Sequence, residues 1–128
     1  MRDKSLIIEI LEQVERVIEN LLGSTANLSN INELLESADG MLRLNGICMC
    51  FIIIGEEIKR IDRYTEEELL INYPSIPWKN IKGMRNRIAH GYFEIDADVV
   101  FDTLKTDIPP LLTVIKQIKE DILINSKS

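Results

Sequence analysis

MLRLNGICMCFIIIGEEIKRI, residues 41–61, contains the longest apolar run in the chain, and its reading decides the fold. Taken at helical spacing it is apolar almost all the way round at its centre. Charge returns only at Glu56, Glu57, Lys59 and Arg60. Such a helix is expected to be buried on most sides, inside a bundle or at a subunit interface. The run itself, Ile47 to Ile54, is far shorter than the roughly 20 residues of a membrane span. Cys48 and Cys50 lie within it. Residues two apart on a helix point about 200° away from each other, so the pair is a poor chelate and a poor disulfide. With one histidine in the chain no zinc site is expected, and the two cysteines read as core thiols in a reducing compartment.

Helical spacing continues on both sides. Over residues 5–22, Ile7, Leu11, Val14, Ile18 and Leu21 recur at steps of three and four, and Gly23 is a natural stop. Asn30 and Glu33 form a capping pair for a long second segment reaching about Asp62, with a kink or break expected near Ala38–Gly40. Gly40 and Gly46 are unusual in a tightly packed bundle helix. Thr65 and Glu68 make another capping pair, predicting a short helix to about Asn72. Pro77 suits the first position of a helix that carries Trp78, Ile81, Met84 and Ile88 inward and ends near His90–Gly91. Asp96 caps the next helix. Asp107 is expected to cap a fresh start before Pro109 and Pro110, and the last helix carries Leu111, Leu112, Ile115, Ile118 and Ile122. No strand and no repeat is legible. The reading is all-α: a bundle of four or five main helices, residues 1–128 as one domain.

The chain has 128 residues and a formal net charge of −6, so no overall field draws it to nucleic acid. The N-terminus is too highly charged for a signal peptide, which places the protein in the cytoplasm. Charge is nevertheless segregated. From Leu69 to Phe93 there is no Asp or Glu, while Lys79, Lys82, Arg85 and Arg87 give that window +4 and leave −10 for the rest. At about 100° per residue, Lys79, Lys82, Asn86 and His90 fall within an arc of about 80° on one helix face. Arg85 stands about 140° away from His90, so the two cannot meet on an ideal helix. Arg85 must use its long stem, or the helix must unwind near Gly91, or a second subunit must complete the site. Basic residues and a histidine before a glycine are also what an ordinary helix C-terminus carries.

RNRIAHGY, residues 85–92, resembles the R-x4-H-x-Y motif of HEPN-domain ribonucleases, in particular their HepT-like toxin branch. Arg85, His90 and Tyr92 stand where that branch has its Arg, His and Tyr, and Asn86 supplies the usual polar residue after the arginine. The resemblance extends over YPSIPWKNIKGMRNRIAHGYFEID (Tyr73–Asp96), IIIGEEIKRI and TDIPPLL, which together reach most of the chain. It implies a HEPN-like up-and-down helical bundle that forms a homodimer, with the motifs of two subunits facing one cleft. It also implies the toxin of a type II toxin–antitoxin system, cleaving RNA without a metal or other cofactor. The implied antitoxin is a MntA-like nucleotidyltransferase that transfers AMP to Tyr92.

The residue types suit that chemistry. RNA carries its own nucleophile in the 2′-hydroxyl. His90 can move a proton near neutral pH. Arg85 can hold two phosphate oxygens with its planar fork, and Asn86 can orient the phosphate or His90. Tyr92 offers a face for a base, and Lys79, Lys82 and Arg87 can track the backbone. A non-catalytic helical module that pairs with a nucleotidyltransferase is the alternative. Trp78 is expected to anchor the motif helix in the core, and Glu56 and Glu57 to be a solvated or partner-facing pair rather than acid/base groups.

Overall fold

The computed structural model describes residues 3–88 and 95–127. Three long helices follow from the three apolar periodicities. In α1 (Lys4–Ser24) the Asp3 carboxylate accepts from the Leu6 N–H at 2.9 Å and caps the first turn. Its buried stripe is Ile7, Ile10, Leu11, Val14, Ile18 and Leu21. The N–H and hydroxyl of Thr25 both donate to the Leu21 carbonyl, so the helix runs one residue past the expected stop at Gly23. The last helix, Ile108–Lys127, lies along α1 and buries Leu111, Ile115, Ile118 and Ile122. Lys119 pairs with Glu15 at 3.1 Å across that seam.

Between α1 and the long central helix the chain breaks earlier than expected. A short α2 (Asn32–Leu35) ends at Glu36, and α3 (Ala38–Tyr64) restarts after Ser37, whose hydroxyl accepts from the Gly40 N–H at 2.9 Å. Asn30 accepts from the N–H of Asn32, while Glu33 turns back to the Ser29 amide and hydroxyl. Those two bonds hold the Glu33 carboxyl below the usual carboxylate range. Gly40 has a packing reason: a Cβ there would stand 2.3 Å from the Glu33 carbonyl oxygen. Gly46 has none, since a Cβ there would meet nothing within 4 Å.

Helix α3 is long and apolar enough to cross a membrane, which the length of its apolar run did not suggest. It packs on α1 and on the segments that follow it. Leu44, Ile47, Cys48, Phe51, Ile54, Ile58 and Ile61 are buried. Burial is one-sided, however: Leu42 is 71% exposed, Met49 57% and Ile53 40%, and Cys50 is only half-buried. The expectation of burial on most sides therefore fails within one chain, because α1 and the later helices cover a single face. Glu56 is exposed and pairs with Lys59, whereas Glu57 is half-buried and pairs with Arg60.

Thr65 does not head a new helix. Its hydroxyl donates to the Ile61 carbonyl at 2.7 Å and closes α3, because a helix end offers unpaired carbonyls four residues back. Glu66 and Glu67 then turn the chain at φ 54° and 61°, and only a 3₁₀ turn, Leu70–Asn72, follows. Tyr73 next ties this segment to the last helix, its hydroxyl donating to Asp121 at 2.6 Å. Burial, then the Asp121 hydrogen bond, pushes the Tyr73 hydroxyl up to about 12. The same bond, with Gln117, holds the Asp121 carboxyl low. A phenol whose folded value lies above its unfolded value of about 10 adds stability that is complete below pH 10 and lost as pH rises towards 12. Tyr73→Phe is therefore expected to flatten the alkaline limb of a thermal-unfolding profile between pH 10 and 12. An unchanged limb would show that another group titrates there.

The helix expected over Pro77–Gly91 is interrupted. Pro77 caps α4 (Trp78–Lys82), and α5 (Met84–Ile88) follows after Gly83, whose N–H donates to the Lys79 carbonyl at 3.0 Å. Trp78 packs partly buried on the core, and its indole N–H donates to the Tyr73 carbonyl at 2.9 Å. Ile81, Met84 and Ile88 are buried. The break lies against α3 at Gly55, where a Cβ would come within 2.9 Å of the Ile81 carbonyl oxygen.

Asp96 caps α6 (Ala97–Asp102) by accepting from the Val99 N–H at 3.2 Å, as its position predicts. Asp107 does not cap. A π-helical turn, Thr103–Asp107, joins α6 directly to the last helix, α7. Pro109 and Pro110 lack the N–H groups that an α-helix would use, and their rings crowd the carbonyls four residues back. The wider turn just before them relieves that crowding, so the chain stays helical. Among the described residues no β-strand forms, and the architecture is all-α.

Candidate functional site

Helix α5 is five residues long and presents two faces. Met84 and Ile88 point into the core, which turns Arg85 and Asn86 to solvent, where both are exposed. Lys79 is exposed on α4. Neither Lys79 nor Arg85 has an ion-pair partner among the described residues. Lys82 and Arg87 do. Lys82 donates to Asp62 Oδ2 at 2.5 Å, and Arg87 stands 3.6 Å from Asp107.

His90 and Tyr92 lie outside the described residues, as does the whole segment 89–94. Of the described residues on either side, the Asp96 N–H donates to the Ile88 carbonyl at 2.8 Å. The expected arc of Lys79, Lys82, Asn86 and His90 needed one continuous helix. The helix is interrupted at Gly83, between Lys82 and Asn86, and His90 lies outside the described residues.

The family model described as Ribonuclease HepT-like matches residues 7–118. The chain belongs to the HepT-like ribonuclease family. Among its relatives is MJ1216 of Methanocaldococcus jannaschii, which is named an RNase. It is 29% identical over 119 residues, which cover 93% of this chain and 88% of that one. MJ1380 of the same organism, also named an RNase, is 29% identical over 84% of this chain and 88% of its own. A protein of Thermococcus cleftensis named a ribonuclease HepT is 39% identical over 59 residues, 46% of this chain and 50% of its own. No solved structure gives a significant match. The fold is accordingly a HEPN-like helical bundle.

Other groups contribute little to a HepT-like site. Burial pushes the Cys48 thiol up to about 11, so it is not a nucleophile near neutral pH. A cleft of about 530 Å³ opens beside α4, lined by Lys59, Asp62, Arg63, Glu66, Glu67 and Lys82. Three acids balance three bases there, so it has no net attraction for an anion. Asp62 and Asp107 were not singled out in the sequence as partners of the basic window. Asp62 had a signal: it falls four residues after Ile58 on the buried stripe of α3, and a carboxylate placed there needs a partner. Asp107 had none, since it reads as a helix cap.

Proposed function

We propose that this HepT-like protein is the toxin of a type II toxin–antitoxin system and an endoribonuclease that needs no metal. The observation that carries the reading is the R-x4-H-x-Y set of Arg85, His90 and Tyr92 in a HepT-like chain, with Arg85 and Asn86 held outward on α5. In this reading the exposed Arg85 fork grips a phosphodiester of RNA and stabilises the charge that builds as the 2′-hydroxyl attacks. His90 moves the proton, Asn86 orients the phosphate and Lys79 tracks the backbone. The protein works in the cytoplasm as a homodimer. The bare apolar stripe of Leu42, Met49 and Ile53 on α3 supports a second copy, because an uncovered stripe of this kind is a liability in a monomer. A MntA-like nucleotidyltransferase antitoxin transfers AMP to Tyr92. The added phosphodiester charge and base then block RNA beside His90.

Expression of wild type and His90→Ala without any antitoxin tests this. Wild type should arrest growth and the purified protein should cleave RNA, with His90→Ala lower by about 10²–10⁴-fold in cleavage. Equal, harmless growth of both, with no cleavage in vitro, would leave a non-catalytic module that binds the nucleotidyltransferase.

A further inference from the structure

The window Leu69–Phe93 contains no acid in sequence, but it meets acids in space. Asp62 arrives from the last turns of α3 and pairs with Lys82 at the end of α4. Asp107 closes the π-turn and pairs with Arg87 near the end of α5. Both pairs are partly withdrawn from water, with side-chain exposures of 28% and 12% in the first and 31% and 25% in the second. By contrast the surface pair Lys59–Glu56 stands at 45% and 54%. The Arg87 Nη1 atom is buried and makes no hydrogen bond among the described residues, so that end of the guanidinium is turned into the protein. Two helices of five residues each cannot fix their own orientation. Arg85 and Asn86 lie between the two ion pairs in sequence, and the Ile88–Asp96 backbone bond closes the far end.

We propose that Asp62 and Asp107 are positioning residues of the ribonuclease site. Through Lys82 and Arg87 they set the orientation of α4 and α5, and hence the direction in which Arg85 points. Lys82 and Arg87 are thereby taken out of RNA binding, leaving Lys79 and Arg85 as the cations of this window that RNA meets. The inference rests on the ribonuclease reading, but its central claim, which cations meet RNA, can be measured without turnover.

The probe is a single-stranded 2′-O-methyl RNA, which has no free 2′-hydroxyl and is not cleaved. Its affinity is measured against salt for the full-length protein. Removing one cation that neutralises a phosphate of a single strand lowers the slope of log affinity against log salt by about 0.7. Measured in an Arg85→Ala background, so that a redirected Arg85 does not enter, Lys79→Gln should lower the slope by that amount, whereas Lys82→Gln and Arg87→Gln should leave it unchanged. On cleavable RNA, Asp62→Asn and Lys82→Gln should each lower kcat by about tenfold to a hundredfold with KM little changed, as a misplaced group does. The double variant should fall no further than either single, and Lys82→Arg, which keeps the pair, should recover most of the rate. A fall in slope for Lys82→Gln or Arg87→Gln equal to that of Lys79→Gln overturns the proposal, as do additive kcat losses in the double variant. Should wild type cleave no RNA, the ribonuclease reading falls, and the salt slopes alone decide between Lys79, Lys82 and Arg87.

Discussion

Arg85→Ala is expected to lower RNA cleavage by about 10²–10³-fold, the loss found when one preorganised charge-stabilising donor is removed. The residue is exposed on α5, without an ion pair among the described residues, so the change leaves no buried carboxylate unpaired. Thermal unfolding should therefore stay close to wild type while turnover collapses. Arg85→Lys should recover little, because a point ammonium cannot grip two phosphate oxygens as a planar fork does. The proposed homodimer allows a sharper test. If each site takes Arg85 from one subunit and His90 from the other, dimers of Arg85→Ala with His90→Ala contain one intact site. Co-expressed inactive variants should then regain measurable cleavage. Full activity in Arg85→Ala would remove this arginine from the chemistry.

Gly55→Ala is expected to destabilise the fold and weaken cleavage together. Alanine in a helix normally gains about 1 kcal/mol over glycine. At Gly55 the new methyl would lie 2.9 Å from the Ile81 carbonyl oxygen and 3.6 Å from that of Lys82. These are backbone atoms, so α4 and α5 must move off α3. Such overpacking costs about 1–3 kcal/mol and exceeds the propensity gain. The displaced segment carries Lys79, Arg85 and Asn86, which is why activity should fall with stability. Gly46→Ala on the same helix gives the contrast, since nothing lies within 4 Å of its added methyl. It should hold or raise the melting temperature. Equal effects at the two glycines, read by thermal unfolding, would show that α4 and α5 yield freely.

These two predictions mark where the sequence was legible and where it was not. The buried stripes of α1 and α7, and the inward Ile81, Met84 and Ile88, could be read directly, because helical periodicity is a property of neighbours three and four residues apart. Asp96 capped as predicted because its partner, the Val99 amide, is three residues away. Thr65 and Asp107 misled for a shared reason. Each has the right residue type for a helix start, but Thr65 found the free Ile61 carbonyl at the end of the helix before it, and Asp107 found Arg87 through packing. The break at Gly83 was hidden because an amphipathic pattern continued across it. Close packing on α3 at Gly55 accompanies that break, and α3 lies well upstream in the chain.

Sequence alone determined that this chain is helical, which faces of its helices enter the core, and that it carries the Arg85, His90 and Tyr92 set of a HepT-like ribonuclease. Local spacing is enough for the first two, and the resemblance to the R-x4-H-x-Y motif supplies the third. Only the tertiary structure decided which charges of the basic window are paired. Lys82 and Arg87 meet Asp62 and Asp107 through the packing of α3 and the π-turn against α4 and α5. An ion pair depends on distance in space, and no pattern along the chain records it.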